Sequence, residues 1–544
     1  MNNSNTDNQL QQEKMLTGTA WLSMANIISR LLGALYIIPW YAWMSPYSNQ
    51  ANTLFSMGYN IYALFLLLST VGIPVAIAKE VAHYNALDDK NMTYRLVRQM
   101  FLFMLVLGII MSAFLYFFAP ALAIASGGDK ALIPVMRSLS LSILIFPAMS
   151  VIRGYFQGLN DMKTFAISQV YEQIIRIIWM LVTTYIIMQL GNKNWQAAVT
   201  QSTTAAFIGM LASCLVLFIN LVKNNDLKNF LSPKESKQTV RAFPLLKQTV
   251  ITALPFVITG SAIQIFKLID QMSFVNVMLA STDFSRVELN DFFAYFSANT
   301  DKITMILIAV ALTLGDVGLP LITTAFTKKK MQEVSYLISY NFQFFVAFML
   351  PAVVGVSLLA KPIYTLFYSS PNLLQERLFI YASLQSFILT LLALSWLFLQ
   401  SMHENKKAML YFSLTLLIKI IIQVPSILLF EVYGPLIATT IAFLVGIFLT
   451  IRKIKEISHF DIKELLHICI SISLLTLVMS FIVVIIQFLY RQVIPADNFI
   501  SSLIIIILAG TLGLYSYLFL AAKTGLLEKL MGERGRKIRN KLHI

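Results

Sequence analysis

The sequence predicts an all-α polytopic membrane protein with about fourteen transmembrane helices, and three observations carry that prediction. Of 544 residues, 58% are hydrophobic and only 12% are charged, with a mean hydropathy of +0.73. Soluble chains hold roughly 45–50% apolar and about 25% charged residues, so lipid must be the solvent for most of this surface. The apolar residues fall in runs near the roughly 20 residues that a helix needs to cross a bilayer. Outside those runs, the cationic residues collect on one side.

In chain order the runs are 17–44, 53–78, 97–119, 133–152, 165–189 and 198–222, then 249–279, 303–326, 337–359, 378–400, 408–430, 435–451, 464–490 and 499–522. Residues 1–16 form a polar tail with one lysine, Lys14, and none of the basic region or cleavage site of a secretory signal. The first span is therefore expected to stay in the mature protein. Six spans fill 17–222 and six more fill 249–455, with 223–248 as a polar linker. Two further spans occupy 464–522, and 523–544 is a basic tail.

With the N-terminus in the cytoplasm, about 29 Lys and Arg lie inside, among them Arg98, Arg153 and Lys328 to Lys330, against about 7 outside. This is the positive-inside pattern, and it predicts that both termini are cytoplasmic. Attraction to an anionic inner leaflet accounts for the net charge of +15 without a nucleic-acid partner.

An internal repeat points to two six-helix lobes with two helices added at the end. Val71 to Pro74 (VGIP) at the end of the second span matches Val317 to Pro320 (VGLP) in the eighth. Phe156 to Lys163 (FQGLNDMK) after the fourth span matches Leu399 to Lys406 (LQSMHENK) after the tenth. Carried onward, that register sets Arg176 on Lys419. Ile27 to Gly33 (IISRLLG) against Gln264 to Asp270 (QIFKLID) sets Arg30 on Lys267.

Eight ionisable residues fall inside spans: Arg30, Arg137, Arg176, Lys267, Lys419, Glu172, Asp270 and Asp316. Each costs about 2.5–3.5 kcal/mol at a helix centre on insertion scales, so each needs a partner or a polar cavity. Glu172 and Arg176 are i,i+4, and Lys267 and Asp270 are i,i+3, so each pair shares a helix face. Both pairs are open to two readings, as ion pairs that orient helices or as parts of a substrate site. Arg30 has no acidic neighbour in its span, whereas Arg137 sits near the outer end and can snorkel to the headgroups.

Five bases against three acids suit an anion such as pyrophosphate, which Arg recognises in bidentate fashion. The expected substrate-binding set is Arg30, Lys267, Arg176, Lys419, Glu172 and Asp270. Asp316 is open to three readings: a Na⁺ site, a proton site, or a counter-charge to Lys267.

No nucleotide-binding glycine loop, HExxH or GxSxG motif occurs, and the five histidines are scattered. Cys214 and Cys469 lie far apart inside apolar runs, which gives no CxxC site and no disulfide framework. The outside loops are too short for a folded catalytic domain. No enzyme, cofactor or metal is therefore expected. Transport would draw on a substrate gradient, an ion gradient or the membrane potential, the last worth about 2.3 kcal/mol per charge at 100 mV.

Val151 to Ile177 (VIRGYFQGLNDMKTFAISQVYEQIIRI) resembles the segment around spans 4 and 5 of the Gram-positive polysaccharide-exporter family. That family holds the stage V sporulation protein B and YtgP groups, relatives of the MurJ lipid II flippases within the MATE-related MOP superfamily. Thr19 to Tyr36 resembles its first span and Val71 to Ala82 the end of its second. The resemblance implies two lobes around a central cavity, with spans 13 and 14 forming a groove for a polyprenyl tail. It also implies that Arg30, in the shared SRxLG pattern, and Lys267 take positions of the family's cavity cations. The next arginine of that pattern falls near Tyr36 and its second-span acid near Asn52 or Thr53, both departures.

The function expected from the residues and the resemblance is translocation of undecaprenyl-pyrophosphate-linked sugars, foremost lipid II, across a bacterial cell membrane by alternating access. The protein would act as a monomer for peptidoglycan synthesis. The alternatives are export of another lipid-linked glycan, such as a teichoic acid or capsule unit, and a MATE-type multidrug antiporter, which the cationic excess disfavours.

Overall fold

Several helices in this chain start where an Asp or Asn side chain can accept from backbone N–H groups that the first turn leaves free. Asp89 accepts from the Met92 N–H at 3.0 Å, Asp161 from Thr164 at 3.0 Å, Asn194 from Ala197 at 3.1 Å and Asn498 from Ser501 at 2.8 Å. The structure, a computed structural model, describes residues 29, 32–33, 35–70, 72–232, 254–255, 257–494 and 498–541. Among these residues it is helical, with no strand.

Two compact units divide the chain after Met272. The first holds α1 (Ile37–Trp43), α2 (Ser48–Thr70), α3 (Ile73–Ala86), α4 (Lys90–Ala125), α5 (Leu132–Gly158), α6 (Met162–Tyr185), α7 (Trp195–Lys223) and α8 (Asp226–Leu231). It also holds the start of α9 (Ala262–Ser281). Hydrogen bonds explain that assignment: Gln271 is fully buried, accepts from Asn60 of α2 at 3.1 Å and donates to Ser126 at 2.9 Å.

The second unit continues with α10 (Arg286–Phe293), α11 (Asn299–Thr327), α12 (Met331–Leu358), α13 (Ala360–Phe367), α14 (Leu373–Ser401), α15 (Asn405–Phe430) and α16 (Gly434–Ser458). It ends with α17 (Ile462–Val493), α18 (Phe499–Lys523), α19 (Leu526–Met531) and α20 (Glu533–Lys541). Part of its core is aromatic, with Phe342 packed 5.0 Å from Phe398 and 6.0 Å from Phe460, centroid to centroid.

Eleven runs of described residues are long and apolar enough to cross a membrane. The expected number, fourteen, is larger. Spans 408–430 and 435–451 form one run, Asn405–Ser458, broken only by a tight turn at Glu431–Tyr433. Segment 17–44 lies partly outside the described residues, and within 303–326 the side chains of residues 313–317 are not described. On α17 the lipid-facing stripe is plain: Leu466, Ile470, Leu474, Leu477, Phe481 and Phe488 are exposed, while Ile468, Ile472, Thr476, Met479 and Val483 are buried.

The repeat appears in the turns. Asn160 at φ 60° joins α5 to α6, with Asn160 N–H on the Gln157 carbonyl at 3.0 Å and Asp161 N–H on Phe156 at 2.9 Å. His403 at φ 61° joins α14 to α15 with the same bonds, to Gln400 at 3.0 Å and Leu399 at 3.0 Å. These are the residues that the sequence register pairs. VGIP and VGLP differ instead: Gly72 at φ 69° ends one helix and Pro74 opens the next, whereas Pro320 lies within the unbroken α11.

Candidate functional site

Helix α6 presents Ser168, Glu172 and Arg176 at four-residue spacing, which sets all three on one face. Arg153 of α5 reaches that face. Its Nη2 lies 2.7 Å from Glu172 Oε2 and donates to Ser213 of α7 at 2.9 Å, and its Nε donates to Ser168 at 3.1 Å. The Phe165 ring lies 5.6 Å from the guanidinium carbon. Three helices thus close around one buried arginine. Gly209 of α7 permits the approach, since a Cβ there would stand 2.6 Å from the Glu172 carbonyl oxygen.

This changes two expectations. Arg153, placed with the loop cations, is 7% exposed inside the bundle, because α5 continues to Gly158. The Glu172 carboxylate therefore bonds Arg153, and the helical pair with Arg176 does not form. Arg176 is half-buried and donates to Gln173 Oε1 at 2.5 Å. Among the described residues it makes no ion pair, which leaves an intramembrane cation held by a neutral amide. A Cβ on Gly33 would stand 3.5 Å from Gln173 Nε2, so the first span passes beside this amide at Gly33.

Lys419 is fully buried on α15. Its Nζ donates to the Pro435 carbonyl at 2.9 Å and to Thr439 Oγ1 at 2.6 Å, both on α16. Lys267 and Asp270 are half-buried on α9. Arg137 is exposed, its guanidinium 4.8 Å from the Tyr116 ring centroid, a cation–π contact near the N-terminal end of α5. Arg30 lies outside the described residues, and Asp316 falls on α11 with its side chain outside them.

Residue reading missed Arg153 and the amides Gln173, Gln271 and Asn60. The signal for Arg153 was present: no proline separates it from Gly158, and Ser168 and Glu172 offer a polar stripe on the next helix. On the loop side, burial and the neighbouring Glu288 push the Asp291 carboxyl of α10 up to about 6. Asp291 Oδ1 is buried with no hydrogen-bond partner. Glu288 is held below its usual range by the Ser285 backbone N–H and hydroxyl.

In the second unit, spans α12, α17 and α18 and the short helix α19 enclose a cavity of about 530 Å³. Its wall carries no charged residue. Phe348, Met479, Val483, Leu514 and Tyr517 are typical of it.

Comparison with known proteins gives consistent results. Residues 15–326 match the family described as polysaccharide biosynthesis protein. The lipid II flippase MurJ of Bacillus subtilis is 30% identical over 534 residues, covering 96% of this chain and 97% of that protein. Stage V sporulation protein B of the same organism is 31% identical over 234 residues, 42% of this chain and 44% of its own length. Among solved structures, an inward closed lipid II flippase MurJ aligns with a TM-score of 0.63 at 17% identity, covering 93% of this chain and 98% of that one. Its fold is the one seen here, and the chain is a multi-pass membrane protein belonging to the polysaccharide biosynthesis protein family.

Proposed function

We propose that this protein is a flippase for undecaprenyl-pyrophosphate-linked sugars, foremost lipid II, carrying them from the inner to the outer leaflet of a bacterial cell membrane. The end-to-end match to a lipid II flippase carries this reading, and the sign of the buried charge supports it. Arg30, Lys267 and Arg176 would hold the pyrophosphate. Arg176 suits the task because its local carboxylate is engaged by Arg153. Glu172 would fix Arg153 beside the set, and Asp270 would orient Lys267. Lys419, which donates to Pro435 and Thr439, would add positive field to the set.

The apolar cavity beside α17 and α18 would take the polyprenyl tail, because its wall has no charge to desolvate. The cationic set is exposed alternately to the two sides, with both termini in the cytoplasm and the protein acting as a monomer. Asp316 would bind the coupling ion, Na⁺ or H⁺. Export of another lipid-linked glycan is the second reading, favoured by the similarity to stage V sporulation protein B over part of the chain.

Reconstitution into vesicles tests the assignment. Wild-type protein should expose lipid II to an external probe. Arg30→Ala, Lys267→Ala and Arg176→Ala should each lower the rate by roughly tenfold or more, the effect of losing one charge-assisted contact, while inserting normally. Full activity in all three variants would remove the site. Transport of a teichoic-type lipid in place of lipid II would move the cargo to the second reading.

A further inference from the structure

Helix α8 has only six residues, yet it is fixed firmly to the first unit. Asn225 at φ 58° turns the chain back after α7. Tyr94 of α4 donates to Asp226 Oδ1 at 2.7 Å. Phe230 packs edge-on against Tyr94 and Tyr155, with ring centroids 5.1 and 4.9 Å away. So anchored, α8 roofs a cavity of about 560 Å³ walled by α4, α5 and α7. Ligand pockets commonly span about 300–1,000 Å³.

The end of α18 has the same construction. Gly525 at φ 73° turns the chain, the Tyr340 hydroxyl donates to the Leu530 carbonyl at 2.5 Å, and α19 roofs the uncharged cavity described above. The walls differ in one respect. The cavity under α8 is apolar except for Cys214 and Arg98. Arg98 is exposed and makes no ion pair among the described residues, and the same holds for Lys223 and Lys228 beside the roof. Asp226, the acid on α8, is buried under Tyr94 and lines no part of the cavity.

We propose that this cavity is a binding site for a bilayer phospholipid with an anionic headgroup. Its acyl chain would lie among Phe101, Met149, Leu217 and Phe230, and its phosphate on Arg98 with Lys223 and Lys228 alongside. One acyl chain alone binds weakly and reversibly, so a chain and a charge together make the stable ligand. Leu102 and Phe218 at the cavity and Leu231 at its roof are exposed by 51%, 51% and 69%, so the cavity opens toward the bilayer. There the lipid in vast excess is phospholipid, which mass action favours over scarce polyprenyl cargo. The site is independent of which glycan lipid the protein carries.

The test is native mass spectrometry of the full-length protein in detergent, titrated with phosphatidylglycerol or phosphatidylcholine of matched chains, or with a polyprenyl phosphate. Wild type should retain phosphatidylglycerol in preference. Arg98→Gln should weaken that retention roughly tenfold, as expected for one lost charge-assisted contact, and Arg98→Lys should keep the preference. Leu217→Trp, which fills the cavity, should weaken both lipids, whereas Gly510→Trp in the other cavity should leave the preference intact. Equal retention of the two lipids by wild type, unchanged retention by Arg98→Gln, or a preference for polyprenyl phosphate would overturn the proposal. Cargo flipping is measured separately, so its failure and the failure of this site are distinguishable.

Discussion

Arg153 and Arg176 approach the same helix and are held in opposite ways. Arg153 is buried with three hydrogen-bonded partners, one of them Glu172, whereas Arg176 has a single amide. Removing one member of a buried pair costs about 3–5 kcal/mol, because the other charge is left uncompensated. Glu172→Gln and Arg153→Met should therefore each lower the melting temperature in detergent sharply, while the Arg153→Met, Glu172→Met double variant recovers much of the loss. If Glu172→Gln melts like wild type, the pair is not structural. Asp291 gives a pH signature of the opposite sign to a salt-bridged acid. Its carboxyl is raised from 3.8 to about 6 in the fold, so the native state binds the extra proton between those values. Stability should fall as pH rises through that window and level off above it. Asp291→Asn should then raise the melting temperature above about pH 6 and change nothing below the window. A melting curve independent of pH across it would contradict the burial of this group.

At the scale of the helix, apolar runs predicted where the spans lie and missed where they end. The run 97–119 lies inside α4, Lys90–Ala125, and 133–152 stops short of Gly158. The hydrophobic pattern reports the hydrocarbon slab, but a helix continues until a cap or a left-handed residue stops it, as Asp89 and Asn160 do. Arg153 was misplaced for this reason. The FQGLNDMK and LQSMHENK match proved legible because it falls on a turn, where backbone geometry restricts the choice of residue. VGIP and VGLP share letters but not a break. Close helix contact could not be read from composition either: a Cβ on Gly154 would stand 2.6 Å from the Pro74 carbonyl oxygen and one on Gly158 2.6 Å from that of Ala78. Gly154→Leu should force α3 from α5 at a cost of about 1–3 kcal/mol or more. Thermal unfolding checks this, and an unchanged midpoint would show that α3 can move freely.

For the whole molecule, composition and charge asymmetry were enough to predict a polytopic helical transporter, and the family match agrees with them. The cationic excess suggested an anionic cargo. The partners of each intramembrane cation could not be read there, since they come from other helices, such as Thr439 beside Lys419. The central claim concerns cargo, and depletion of the protein in its host tests it most directly. The measurement is the accessibility of lipid II to a probe outside the cell. The account predicts that lipid II becomes inaccessible and accumulates inside while cells swell and lyse. Normal exposure of lipid II throughout depletion would contradict it.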